Sequence, residues 1–256
     1  MTLPKKLVLL FFALTVLIFL HPLWSAGQKE GEAKILINGI DTDFPPFGYI
    51  DKAGKPAGFD VESVDWIAKE MGFKVKHQPT AWDGIIESLR SGKIDFIASG
   101  MSILAERQKV VDFTIPYWET KLAVAVSKDS NISYEETMDG KHKMGVQRGT
   151  TAAMWIEDNL IKPGKVPKDM IVLYDSFSLA LTDLANKRID SAMQDDTMVL
   201  DAAKTQPIKI AGTHKSGMTY GYAVRKEDSE LLEKLNEGLR RLMASPKWQE
   251  LIDKYM

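Results

Sequence analysis

The stretch KIDFIASGMSILAERQKVVDFT (93–114) starts as a strand and ends around a helix, and the joint between them bears on fold and function together. Its first seven residues, KIDFIAS (93–99), read as a buried strand. Ser99, Gly100 and Ser102 lie at and beyond the strand end, and a helix is predicted to begin near Arg107. The ordinary reading of such an arginine is a solvated helix residue. The alternative is an anion site. Free backbone N–H groups at a strand end, the positive end of a helix and a guanidinium fork all favour a carboxylate.

Strand and helix alternate around this stretch. Strands are predicted over 33–40, 93–99, 121–128, 142–147, 170–175, 189–194 and 219–226. Helices are predicted over 61–72 and 84–92, with two more at about 228–244 and 246–255. In VESVDWIAKEMG (61–72), Val61, Val64, Ile67, Ala68 and Met71 share a face, and Gly72 ends the helix. DTDFPPFGY (41–49) reads as a proline-rich loop. The alternation argues for an α/β fold with parallel sheet. Within it, LRSGKIDFIASG (89–100) and LANKRIDSAMQD (184–195) repeat Leu, a basic residue, Ile and Asp at one spacing, each as helix end, tight turn and strand. This echo suggests two similar lobes. Ligands of open α/β sheets sit at the carboxyl ends of strands. One copy delivers Ser99 and Gly100 there; the other delivers Gln194 and Asp195.

The chain has 256 residues, 45% hydrophobic, enough for one large domain or two small ones. A formal net charge of −2 lacks the basic field of a nucleic-acid binder. With no cysteine there is neither a disulfide framework nor a cysteine metal site. His21, His77, His142 and His214 show no metal-ligand spacing. No cofactor and no metal is expected. The N-terminus reads as an export signal over residues 1–26: Lys5 and Lys6 precede a 14-residue apolar run, 7–20, shorter than the ~20 residues of a membrane-spanning helix. Cleavage after Ser25 or Ala26 is expected, with an uncleaved membrane anchor as the alternative reading. Loss of 1–26 removes two lysines and no acid, leaving 31 Lys and Arg against 35 Asp and Glu, a formal charge of −4.

GVQRGTTAAMW (145–155) is a strand, a Gly-Thr-Thr turn and a helix, whose free N–H groups can meet the same anion as Arg107. It lacks the lysine and the spacing of a phosphate-binding loop. Asp195 offers the opposite charge, although it can also be read with Asp196 as a helix N-cap pair. A carboxylate receptor facing an ammonium receptor describes a site for a zwitterion, an α-amino acid.

From 34 to 256 the sequence resembles the extracytoplasmic solute-binding proteins of polar amino-acid ABC transporters, the group with histidine-, lysine/arginine/ornithine- and glutamine-binding members. The resemblance rests on GIDTDFPPFGYIDKAGKPAGFD (39–60), AWDGIIESLRSGKIDFIASGMSILAERQKVVDFTIPYW (81–118), GVQRGTT (145–151) and IDSAMQDD (189–196), in that order. It implies a two-lobed periplasmic-binding-protein fold with the ligand in the interlobe cleft. Hinge crossings would lie near 117–121 and 216–220, with lobe one at 34–117 and 221–256 and lobe two at 122–215. It implies that Arg107 binds the ligand carboxylate with Ser102 and Thr151, and that Asp195 binds the ammonium aided by Gly100 and Ser99. Phe44 and Trp82 would pack on the ligand side chain, and Asp41, Gln147 and Gln194 would adjust its selection. Two positions depart from the family pattern. Ser63 replaces an apolar residue, and Leu104 often is Thr, which removes a helix cap near Arg107. Asp43 and Arg148 are as open to a solvent-facing as to a functional role.

The function implied is capture of a polar, basic L-amino acid by a monomer and delivery to the membrane permease of an ABC importer. Arginine, lysine or ornithine rank first, because Asp41 beside an aromatic wall suits a cation; histidine follows, then glutamine. Acidic ligands are disfavoured, since Asp41 would repel them. A dehydratase or a sensor domain on the same scaffold are the competing classes. No nucleophile–base pair is apparent, and no catalytic residue is assigned. The chain ends at Met256 without a following membrane segment or kinase, which counts against the sensor.

Overall fold

The computed structural model describes residues 35–256. The predicted export signal lies outside them. The chain runs β1 (Ile35–Ile40), β2 (Asp43–Phe44), β3 (Gly48–Ile50), β4 (Pro56–Ala57), α1 (Phe59–Glu70), β5 (Lys74–Pro79), α2 (Ile85–Arg90), β6 (Phe96–Ile97), α3 (Ala105–Gln108) and β7 (Val111–Phe113). It continues through β8 (Trp118–Ser127), β9 (Met144–Gln147), α4 (Thr151–Ile156), β10 (Ile171–Tyr174), α5 (Phe177–Ala185), β11 (Ser191–Asp195), α6 (Asp196–Ala203) and β12 (Ile208–Tyr220). It closes with β13 (Ala223–Arg225), α7 (Ser229–Met243) and α8 (Pro246–Tyr255).

Two five-stranded sheets organise these elements, in the orders β5-β1-β6-β13-β7 and β10-β9-β11-β8-β12. In each sheet one strand, the fourth in order, runs against the other four: β13 in the first sheet and β8 in the second. The expected parallel sheet is thus mixed. The antiparallel strands are those where the chain passes between sheets without a helical crossover, which only parallel neighbours require. The run TYGYAVRK, predicted as one strand, is broken: β12 ends at Tyr220 in the second sheet and β13 begins at Ala223 in the first. The loop DTDFPPFGY is also more ordered than expected. Its β2 and β3 pair with β4 in a small third sheet around a cis Pro45–Pro46 bond. The short strands β5 and β7 carry no clear apolar run and were not predicted. The predicted strand 93–99 contracts to Phe96–Ile97.

The two echoing segments occupy equivalent places. α2 leads to β6 and α5 to β11, and each strand is the third of its sheet. Asp95 Oδ2 accepts from Ile37 N of β1 at 2.8 Å, and Asp190 Oδ2 accepts from Lys143 N beside β9 at 2.8 Å. Both turns need a left-handed residue. The first uses Gly92 (φ 75°) and the second Lys187 (φ 58°). The paired crossing segments are β8 and β12, joined antiparallel from Trp118↔Tyr220 to Thr120↔Met218 where the chain leaves and rejoins the first sheet. Beneath them lies an aromatic cluster. Phe47 is fully buried, with its ring 5.1 Å from Tyr220, 5.7 Å from Phe59 and 6.0 Å from Trp118.

Helix boundaries follow local chemistry. α1 buries Val61, Val64, Ile67 and Ala68, and sets Asp60 and Glu62 in its first turn, where they favour the helix dipole. α8 starts with Pro246 after the extended Ser245. Among the described residues no helix is long and apolar enough to cross a membrane.

Lysine in the left-handed region is strained, by ~1 kcal/mol relative to glycine. Lys187→Gly is therefore expected to raise unfolding stability in urea by about 0.5–1 kcal/mol. A loss of stability would show that the backbone there is not the source of strain.

Candidate ligand-binding site

A small, nearly closed cleft lies where β1, β6, β9 and β11 end, at the boundary of the two large sheets. From the first sheet's side come Asp41, Phe44, Trp82, Gly100 and Ser102; from the second come Gln147, Thr150, Thr151, Gln194 and Asp195. All but Thr150 were singled out from sequence. Thr150 was overlooked because its neighbour Thr151 took the role. Its hydroxyl donates to Gln147 O at 2.7 Å and accepts from Ala153 N at 3.2 Å, capping α4.

Ser99 and Arg107, both predicted, are outside this wall. Ser99 is fully buried, and its hydroxyl accepts from Asp41 N at 2.9 Å, because the end of β6 lies against the end of β1. It shapes the Asp41 turn from behind. Arg107, 3% exposed, lies in the four-residue α3, whose N-cap residue, Leu104, makes no side-chain cap. Its guanidinium donates to Ser102 O at 3.0 Å and, across the cleft, to Gly149 O at 3.2 Å. These use two of five donors. Its Cζ lies 5.2 Å from the Trp82 ring centroid. Burial pulls its pKa down to about 10, opposed by Asp195, so it stays charged at neutral pH.

Asp195 ends β11 and is 4% exposed. Its Oδ2 accepts a hydrogen bond from the Tyr220 hydroxyl; its Oδ1 is buried with no hydrogen-bond partner among the described residues. Although it stands at the N-cap of α6, its side chain does not cap that helix. Its neighbour Asp196 instead accepts from Thr197 N at 3.0 Å and Thr120 Oγ1 at 3.0 Å. Burial pushes Asp195 up to about 7, against the Tyr220 hydrogen bond and the Arg107 charge.

A polar chain lines one wall. Gln147 Nε2 donates to Asp41 Oδ2 at 3.3 Å, Gln194 Nε2 donates to Gln147 Oε1 at 3.2 Å, and Asp195 N donates to Gln194 Oε1 at 3.1 Å. Asp41 is 6% exposed, and burial raises its carboxyl above the usual range. Phe44 forms another wall, packed on Gly100. At φ 56° a β-carbon on Gly100 would lie 2.4 Å from the Phe44 ring, so both conformation and space require glycine there. The cleft is closed by bonds between its sides: Trp82 Nε1 donates to Gly149 O at 3.0 Å and Thr151 Oγ1 to Ser102 Oγ at 3.1 Å. Asp43 and Arg148 sit at this rim. Asp43 accepts from Ser178 N and Oγ in the first turn of α5, while Arg148 pairs with Asp83 at 3.6 Å and Asp175 at 3.1 Å.

Asp195 has a testable cost. The folded protein holds its carboxyl at about 7, whereas an ordinary aspartate titrates near 3.8. Folding is penalised above the higher value, and the penalty fades as pH falls towards the lower one. Asp195→Asn removes the charge and keeps the shape. Its thermal midpoint, measured without ligand, is expected to exceed wild type most at about pH 8, with the gap narrowing below about pH 7 and closing only near pH 4. A variant less stable than wild type at the higher pH would contradict the burial argument.

The sequence profile of the bacterial extracellular solute-binding proteins, family 3, matches residues 36–256. The chain is 34% identical to the ABC transporter arginine-binding protein 1 of Escherichia coli (strain K12) over 223 residues, covering 85% of this chain and 88% of that protein. A solved structure of an ancestral arginine-binding protein bound to arginine superposes with a TM-score of 0.81 at 37% identity, covering 88% of this chain and 99% of that one. An ancestral arginine-binding protein bound to glutamine gives 0.79 at 37% identity, covering 87% and 97%. With two mixed sheets, a cleft at their strand ends and a profile match along 36–256, the chain belongs to the bacterial extracellular solute-binding proteins of family 3.

Proposed function

We propose that this protein captures a basic L-amino acid, arginine first, outside the cytoplasm and delivers it to the membrane permease of an ABC importer. The observation that carries the reading is the buried Oδ1 of Asp195 in the cleft wall, which has no hydrogen-bond partner among the described residues, with the buried Arg107 guanidinium bonded to Ser102 O and Gly149 O beside the cleft. A carboxyl there suits an ammonium group. Arg107, Ser102 and Thr151, with the N–H groups of the turn at 149–151, suit the ligand's carboxylate. Asp41 suits a cationic side-chain tip lying against Phe44 and Trp82. The arginine-binding relatives support the same ranking.

Capture and closure are one event in this reading. Lobe one is taken as 34–117 with 221–256 and lobe two as 122–215, the two turning about β8 and β12. Because the charged groups belong to different lobes, only the closed form gives a zwitterion both partners, so ligand shifts the population towards it. The permease then meets the closed form of a monomer that an export signal at 1–26 has sent across the membrane. Glutamine is the second reading. The Gln147–Gln194 pair can rearrange around an amide, and an ancestral arginine-binding protein has been solved with glutamine bound.

A thermal-shift screen of the exported protein against the standard amino acids tests the ligand. Arginine should raise the midpoint most, because ligand that binds only the folded state stabilises it. Glutamate or aspartate at the top of the ranking would refute the role given to Asp41. Arg107→Ala should weaken arginine binding by about 2–5 kcal/mol, tens- to thousands-fold, while the protein stays folded. Calorimetry showing affinity within about threefold of wild type would remove Arg107 from the carboxylate subsite. Asp41→Asn should lose arginine far more than glutamine; equal losses would place Asp41 away from the side chain.

A further inference from the structure

Tyr220 is fully buried and was not suspected from sequence. It is the last residue of β12, where the chain leaves the second sheet. Its backbone pairs with Trp118 of the outgoing strand and bridges Ser102 of the cleft wall. Bonds on either side, Ile103 N to Thr219 O at 2.8 Å and Gly221 N to Met101 O at 3.1 Å, stitch the returning chain to the 101–103 loop. Its ring packs edge-on against Phe47 at 5.1 Å and Phe44 at 6.3 Å. Its hydroxyl donates to Asp195 Oδ2 and lies 3.3 Å from Thr120 Oγ1. One residue thus ties the backbone of the Ser102 loop to the carboxylate that ends β11.

We infer that Tyr220 is a positioning residue for ammonium capture: it occupies one oxygen of Asp195, fixes the plane of the carboxylate and leaves Oδ1 for the ligand. The inference rests on the amino-acid-binding reading above. Three features support it. A carboxylate without this donor would be free to turn about its last torsion, so the site would lose orientation as well as charge. The ring is locked between Phe47 and Phe44, so the hydroxyl can serve as a fixed reference. The groups facing Asp195 are Arg107 and Tyr220, which favour its ionised form, and Asp196, which opposes it. Removing the hydroxyl leaves burial less opposed, so Asp195 should hold its proton to higher pH and meet an ammonium group as a neutral acid.

The test is Tyr220→Phe, which keeps the ring and its packing. Two readouts are taken on the exported protein: the titration of Asp195 by carboxyl-carbon NMR without ligand, assigned with Asp195→Asn, and the affinity for L-arginine by calorimetry at neutral pH. The Asp195 midpoint should move upward and arginine affinity should fall about tenfold or more, as when a hydrogen bond to a charged group is lost. In the Asp195→Asn background, Tyr220→Phe should cost much less, because the two residues act as a unit. An unmoved midpoint would overturn the inference whatever happens to affinity. A moved midpoint with arginine affinity equal in both proteins would overturn the role in capture. If wild type does not bind L-arginine at all, the ligand assignment fails; the midpoint then decides alone for or against Tyr220.

Discussion

Two buried charges of opposite sign, one on each side of a cleft, constrain this structure more than any other pair of groups. Arg107 directs its two hydrogen bonds to the Ser102 and Gly149 carbonyls, and Asp195 receives one from Tyr220; neither bonds to the other. Burying an ion costs several kcal/mol unless partners compensate. A core optimised for stability would have joined this pair or replaced it with apolar side chains. Holding the two apart leaves room, on the proposed reading, for a third molecule that carries both charges. On the proposed reading the same arrangement links closure to capture, since opening the cleft would separate the guanidinium from Gly149 O.

The surrounding fold keeps the pair in place by repetition. In each sheet the fourth strand runs against the other four, and in each a helix, a left-handed turn and a central strand deliver polar residues to the cleft. Asp95 and Asp190 make equivalent hydrogen bonds to backbone N–H groups at the neighbouring strands. Between the sheets, β8 and β12 form a two-stranded crossing, with Phe44, Phe47 and Tyr117 packed against Tyr220 and Phe59 packed in turn on Tyr117 and Trp118. This aromatic hub packs where the chain crosses from one sheet to the other.

Much of the site was legible because its residues stand at strand ends, where local patterns are clear. The end of KIDFIAS led to Gly100 and Ser102, the Gly-Thr-Thr turn to Thr151, and the repeated Ile-Asp motif to Gln194 and Asp195. Other features depend on partners distant in sequence. TYGYAVRK alternates evenly and reads as one strand; its break between Tyr220 and Ala223 arises because two different sheets claim its halves. The pleat of β2, β3 and β4 hid behind two prolines. Ser99 was expected to aid Asp195 at the ammonium group; its hydroxyl accepts from Asp41 N, a contact 58 residues away that no local pattern encodes. Tyr220 escaped notice for the same reason, since its importance lies in Asp195, which reaches it only in the folded chain.

The claim that the site is built for a zwitterion is tested most directly by calorimetry with L-arginine and two truncated forms of it. Agmatine lacks the carboxylate, and 5-guanidinopentanoate lacks the ammonium group. Both should bind at least about a hundredfold more weakly than arginine, because each leaves one buried charge of the protein without its partner. Failure to bind arginine, or either truncated compound binding within about threefold of it, would contradict the account.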